Sequence, residues 1–167
     1  QEAQNAVCAV VKKTVQAIGI DYSPSHTELK ITPDGPKVVE IGARMGGDNI
    51  TTHLVPLSTG IDMVAACIDI ALGQPVKSYI LKPNNAAVRY FQPPVGVIRS
   101  IRGVDEARKL PGVKEVVLLR KDGESVPPIT SSTDRIGFVI AQGTGMENAA
   151  AICERAMNMI QIEVETK

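Results

Sequence analysis

The chain has 167 residues, 44% of them apolar and 22% charged, which allows one sizeable core or two small ones and excludes a disordered segment. Eighteen basic residues balance eighteen acidic ones and no run of five like charges occurs, so a broad electrostatic footprint for nucleic acid or anionic lipid is missing. Any anion must be gripped locally.

The three cysteines, Cys8, Cys67 and Cys153, each fall in an apolar periodic segment. That pattern suits buried free thiols in a reducing compartment better than a disulfide frame. The longest apolar stretch, around Met63 to Leu72, is interrupted by Asp69 and is too short to cross a bilayer, and the N-terminus carries no signal-peptide pattern. A cytoplasmic protein without a membrane partner is expected. Position 1 is Gln and the chain opens directly in a helical pattern, which suggests that further sequence precedes it.

Ala3, Ala6, Val7, Val10, Val11, Thr14, Val15 and Ile18 recur at helical spacing up to Gly19, predicting an amphipathic helix. The pattern then switches to alternation over Thr27 to Ile31 and Lys37 to Arg44. Between these runs Pro33-Asp34-Gly35 has turn chemistry, so the two form a hairpin. After a loop at Gly46-Gly47-Asp48-Asn49, the positions Ile61, Val64, Ala65, Ile68, Ala71 and Leu72 mark a second helix. Ser58-Thr59 precede it, and Gly73 and Pro75 close it. From about Val76 the texture becomes β-rich, with short runs at Ala87 to Phe91, Val95 to Ile101, Val113 to Leu119 and Gly137 to Ala141. Thr144 with Glu147 reads as a capping box for a last helix whose Ala149, Cys153, Ala156, Met157 and Ile160 share a face. The expected division is residues 1–76 and 77–167.

With Asp34 as the apex, residues whose numbers sum to 68 face one another: Glu28 opposite Glu40 and Lys30 opposite Val38. Leu29, Ile31, Val39, Ile41 and Ala43 then share a packing face, and Glu28, Lys30, Glu40, Gly42 and Arg44 a polar one. Two carboxylates directly across a strand pair, with Cβ atoms roughly 5 Å apart, repel unless a cation lies between them. Mg²⁺, which takes hard oxygen ligands and commonly uses one or two carboxylates plus substrate phosphates, would relieve that repulsion. Arg44 on the same face could donate charge-assisted hydrogen bonds to a phosphoryl group or oxyanion, and Gly46 and Gly47 let backbone N–H groups approach it. On spacing alone the two glutamates read first as solvated strand residues beside Lys30, and a one-residue bulge would break the facing pattern.

The stretch His26-Thr27-Glu28-Leu29-Lys30-Ile31, then Pro33-Asp34-Gly35, then Val38-Val39-Glu40-Ile41-Gly42-Ala43-Arg44-Met45-Gly46-Gly47-Asp48, resembles the last metal-binding segment of ATP-grasp enzymes. The family's two Mg²⁺-binding acids match Glu28 and Glu40, and its phosphate-contacting arginine matches Arg44. Many members have an Asn ligand two residues after the second acid, where this chain has Gly42. With Gly42, Gly46-Gly47 and the downstream runs, the resemblance is to the bacterial L-amino-acid ligase branch, in which the residues matching Arg44 and Gly47 stabilise the tetrahedral intermediate. Arg89-Tyr90-Phe91, Val95-Gly96 and Gly137 to Ala141 resemble the C-terminal domain of such ligases.

This resemblance implies an α+β chain: an antiparallel sheet with flanking helices from the C-terminal half of an ATP-grasp domain, then a small α+β domain. It implies an ATP-dependent carboxylate-amine ligase with ATP and Mg²⁺ (or Mn²⁺) as cofactors and an acyl-phosphate intermediate. Glu28, Glu40 and Arg44 would bind the cofactor, Glu28 and Glu40 the metal, and Arg44 and Gly47 would act in catalysis. The partners are small-molecule carboxylates and amines, not nucleic acid, with a homodimer as a candidate assembly. Because the family's glycine-rich loop and nucleotide-binding lysines precede this region, residues 1–167 alone are expected to bind ATP weakly and not turn over. A carboxylase or carbamoyl-phosphate-type enzyme and a non-catalytic assembly module are the alternatives.

Five other residues carry readings of their own. His26 reads as a turn histidine bonded to backbone and His53 as a packing residue. Asp48 and Asn49 read as substrate-amine ligands or helix caps. Arg89 reads as a surface residue or a substrate-carboxylate partner.

Overall fold

The computed structural model describes residues 2–82, 84–144 and 148–166. The chain separates into two compact units, one of Gln1–Thr51 with Asp62–Ser78 and one of Thr52–Ile61 with Tyr79–Lys167. Among the described residues all strand pairings are antiparallel, so the α+β expectation holds.

The first unit opens with α1 (Glu2–Ile18), which ends at Gly19. Its predicted stripe is half-buried from Ala6 to Val15, and α1 packs on the hairpin's second strand, yet no residue of α1 is fully buried. Cys8 lies off that stripe and is exposed, contrary to the expectation of a buried thiol, because helical phase turns it to solvent. The hairpin is β1 (His26–Thr32) paired with β2 (Gly35–Gly42). Thr32 Oγ1 donates to Gly35 O at 2.8 Å and closes the turn.

The last element of this unit is α3 (Met63–Ala71). Its N-cap is Asp62, whose carboxylate accepts from Ala65 N–H at 2.9 Å. Ser58 and Thr59, expected just ahead of this helix, do not cap it. Those residues belong to α2 (Val55–Thr59), where both hydroxyls bond back to Val55 O, at 3.3 and 2.7 Å, instead of accepting from a following helix. Ahead of α2, Ile50–Leu54 forms a π-helical turn.

In the second unit, β3 (Asn85–Tyr90), β5 (Val113–Leu118) and β7 (Gly137–Gly143) form a three-stranded sheet in the order β3-β7-β5. A second sheet joins β6 (Ser125–Val126), β4 (Gly96–Arg102) and β8 (Gln161–Glu165) in the order β6-β4-β8. Among the described residues three α-helices complete it: α2, α4 (Val104–Arg108) and α5 (Ala149–Met159). The central strand β7 is buried along nearly its whole length, which is why its sequence is a continuous apolar run instead of an alternation.

Helix α5 lies on β7 and β3, burying Ala149, Ile152, Cys153 and Ala156. Ile152, Cys153 and Ala156 join Ile98, Val116, Val126, Ile136 and Val139 in one core. Burial pushes the Cys153 thiol's pKa up, so it packs as a neutral group with Sγ 3.5 Å from Ala87 O and Val139 O. The N-cap of α5 is Asn148, whose side chain accepts from Ala150 N–H at 2.9 Å. The expected capping partner Glu147 lies outside the described residues.

Candidate functional site

The hairpin brings Glu28 directly opposite Glu40, with Thr27 opposite Ile41 and His26 opposite Gly42. A bulge between Glu28 and Leu29 shifts the remainder, so Lys30 faces Lys37 and not Val38, and Leu29 faces Val38. Val39 is the extra residue. It is 58% exposed, whereas Val38 takes the half-buried place expected for Val39. The bulge lies just on the turn side of the glutamates, so their own pairing survives it. Directly opposed residues project from the same face, and on that face both carboxylates are open to solvent, at 55% and 59% side-chain exposure.

Each glutamate has one cationic or polar neighbour. Arg44 Nη2 is 3.5 Å from Glu40 Oε1, and its Nη1 donates to Met45 O at 3.1 Å. Gly42 leaves the arginine side chain room, since a Cβ there would press to 3.3 Å from Arg44 Cγ. Glu28 Oε1 lies 3.6 Å from His26 Nε2. His26 is therefore a strand residue facing Glu28, not the backbone-bonded turn histidine expected. An exposed ion pair such as Arg44–Glu40 is worth about 0–1 kcal/mol, so an incoming phosphate can draw the guanidinium away at little cost.

Beyond Arg44 the backbone is unusual. Gly47 O accepts from Ile50 N–H at 2.8 Å, and no hydrogen bond among the described residues engages the Gly47 N–H. Nothing would crowd a substituent at Gly47, so the backbone here is open to a ligand. Asp48 and Asn49 follow at φ +51° and +64°, two successive left-handed residues of the types that tolerate it best. The N-cap of α3 is Asp62, not Asp48 or Asn49. Such backbone, followed by a π-helical turn, is frequent at functional sites.

Two other residues weighed from sequence lie in the second unit with partners of their own. His53 Nε2 is 3.0 Å from Glu115 Oε2, and its Nδ1 is 2.8 Å from Thr52 Oγ1. Arg89 Nε is 3.7 Å from Glu154 Oε1. Among the described residues no group of three or more His, Cys, Asp or Glu side chains converges as a metal cage. The donor set at the hairpin is thus two carboxylates on an open face. That chemistry fits a hard cation that takes its remaining ligands from phosphate and water, and it does not fit a closed structural metal site.

Residues 89–165 match the family described as L-amino acid ligase C-terminal domain 2. Over 125 residues the chain is 30% identical to the L-arginine-specific L-amino acid ligase of Bacillus subtilis, covering 73% of this chain and 30% of that one. Its fold superposes on the L-amino acid ligase of Bacillus licheniformis with a TM-score of 0.83 and 26% identity, over 99% of this chain and 42% of that chain. The chain is similar to ATP-grasp ligases. It corresponds to a C-terminal portion of these ATP-grasp ligases and spans about a third of the length of the curated relatives it matches. Among those is an uncharacterized protein of Sinorhizobium fredii, 30% identical over 152 residues, or 90% of this chain and 32% of that protein. No single described helix of this chain is long and apolar enough to cross a membrane.

Proposed function

We propose that the chain forms the metal- and phosphate-binding end of an ATP-dependent ligase that joins a small carboxylate to an amine, with residues 1–76 carrying that end and 77–167 the accompanying C-terminal domain. The observation that supports this most is the opposed, solvent-open pair Glu28 and Glu40, with Arg44 folded against one of them. A strand pair gains nothing from like charges placed opposite each other, which cost roughly 0.2–1 kcal/mol, so a bound cation gives the arrangement a purpose.

In this reading Glu28 and Glu40 would hold Mg²⁺ or Mn²⁺ beside the ATP phosphates. When bound, the ion neutralises charge on those phosphates. The substrate carboxylate oxygen attacks the γ-phosphorus and ADP leaves. The amine nitrogen then attacks the acyl carbon, phosphate departs, and the amine gives up a proton. Arg44 donates to the transferring phosphoryl group and afterwards to the oxyanion. The Gly47 N–H, which no hydrogen bond among the described residues engages, donates to the same oxyanion. Neither step needs a covalent nucleophile from the chain; positioning and preorganised donors supply the acceleration.

The test is Glu40→Gln in the enzyme that carries this chain. Turnover should fall by at least about tenfold, and Mn²⁺ binding in the presence of ADP, followed by electron paramagnetic resonance, should weaken by a comparable factor. Near-parental rates with unchanged Mn²⁺ affinity would remove the metal assignment.

A further inference from the structure

His26 and Gly46 stand on either side of the site without an assigned part in it. His26 is two residues before Glu28 on β1, a spacing that sends both side chains to one face of the strand. Its Nε2 lies 3.6 Å from Glu28 Oε1, and its own side chain is only 20% exposed while that of Glu28 is 55% exposed. The ring is covered because it lies against the turn. A Cβ added at Gly46 would come within 2.8 Å of His26 Nδ1 and 3.2 Å of Cε1. Gly46 is not among the residues with positive φ, so backbone conformation does not demand glycine there. Room for the His26 ring does. One imidazole therefore lies within ion-pair distance of the Glu28 carboxylate on one side and against Gly46 on the other.

We propose that His26 is a positioning residue that fixes the Glu28 carboxylate relative to the Gly46-Gly47 turn, and so sets the spacing between the cation-binding edge and the Gly47 N–H. This rests on the functional reading above. A carboxylate held by an outer partner binds its cation more tightly than a free one, and loss of such partners costs about 10–100-fold in metal affinity or activity. The contact with Gly46 has a different consequence. A shift of the turn moves the oxyanion donor, and misplacement of a catalytic group by about 1 Å can cost on the order of a hundredfold in rate.

Three variants of the whole enzyme separate these effects. His26→Phe keeps a planar ring against Gly46 but has no donor for Glu28; it should weaken Mn²⁺ binding with ADP by about tenfold and raise KM for ATP more than it lowers kcat. His26→Gln restores a donor and should recover Mn²⁺ affinity to within about threefold of the parent. Gly46→Ala forces the ring and turn apart while leaving both chemical groups in place; it should lower kcat about tenfold or more with a smaller change in Mn²⁺ affinity. Equal Mn²⁺ affinity in the parent and His26→Phe, or kcat unchanged in Gly46→Ala, would overturn the proposal. If Glu40→Gln also leaves Mn²⁺ affinity unchanged, the functional reading itself fails. If Glu40→Gln abolishes binding while the His26 variants bind normally, only the positioning role fails.

Discussion

The two units differ in what they bury. The second has a contiguous core in which Ile98, Ile136, Val139, Ile152, Cys153 and Ala156 are all at or below 1% exposure. In the first, Ala66 and Thr51 are the only residues among those described that count as buried, while Ile18, Ile31, Val39, Ile68 and Leu72 each stand more than half exposed. A two-stranded hairpin with one helix on it cannot enclose side chains from both faces, and alone it is marginal in water. The proposed chemistry lies on that thinly packed unit, at the open face of β1 and β2. The well-packed unit contributes no residue to the glutamate pair. Stability and chemistry are thus divided between the units, and the same kind of substitution should behave differently in each.

The largest contrast is expected from truncating one apolar side chain in each unit. Ile152 is fully buried under α5, so Ile152→Ala should cost about 2–5 kcal/mol by lost transfer energy and the cavity left behind. Val39, pushed out by the bulge, should cost less than about 0.5 kcal/mol as Val39→Ala. Urea midpoints of the two variants measure the difference. Comparable shifts would show that the first unit relies on Val39 for packing and would break the contrast.

A smaller contrast concerns glycine. Gly103 has φ +82° at the start of α4, and a Cβ on it would collide with the Met159 carbonyl oxygen. Gly35 has a similar φ of +94°, but nothing lies within 4 Å of the place where its Cβ would go. Gly35→Ala should therefore cost only the left-handed strain, about 1–2 kcal/mol, whereas Gly103→Ala adds backbone displacement and should cost at least about 1 kcal/mol more. Thermal or urea unfolding of the pair isolates the packing term, and equal losses would show that the second unit yields as readily as the first.

What the sequence made legible follows the same line. The Glu28–Glu40 pairing depended only on a local turn and on alternation over a few residues, and it could be counted from Pro33-Asp34-Gly35. The bulge could not be counted, because which strand takes the extra residue is decided by packing across the pair. Hence Lys37 and Val38 were misplaced by one while the glutamates were not. The apolar runs that became β3, β4, β5 and β7 were visible for the same reason as α5: they form the core. By contrast α4, with five residues, and β6, with two, carry too few positions to show a period. In β8 the pattern Gln161-Ile162-Glu163-Val164-Glu165 does alternate, but it follows α5 directly and was hidden by the helix's phase. At the site, the contact of His26 with Gly46 spans 20 positions and leaves no local trace, although the spacing of His26 and Glu28 on a strand was a usable signal.

The smallest expected effect is electrostatic and belongs to the second unit. Asp134 closes a 3₁₀ turn over Ser132–Asp134, where its Oδ2 accepts from Thr130 Oγ1 at 2.8 Å, from Thr130 N–H at 2.9 Å and from Ser131 N–H at 2.8 Å. These bonds, the Thr130 hydroxyl's above all, favour the ionised form and lower its pKa from 3.8 to about 2. Since the folded value lies below the unfolded one, the contribution is fully present above about pH 4 and is lost as pH falls toward 2. Asp134→Asn keeps the size of the side chain but not the charge. The gap in urea midpoint between parent and variant should therefore be constant from pH 7 to 5 and close between about pH 4 and 2. A gap that stays constant through that window would mean that shape, not charge, holds the turn. The first unit offers a direct control: Glu40→Gln removes a carboxylate whose closest cationic group, Arg44 at 3.5 Å, is itself exposed, so its urea midpoint should differ from the parent's by less than that of Asp134→Asn at pH 5.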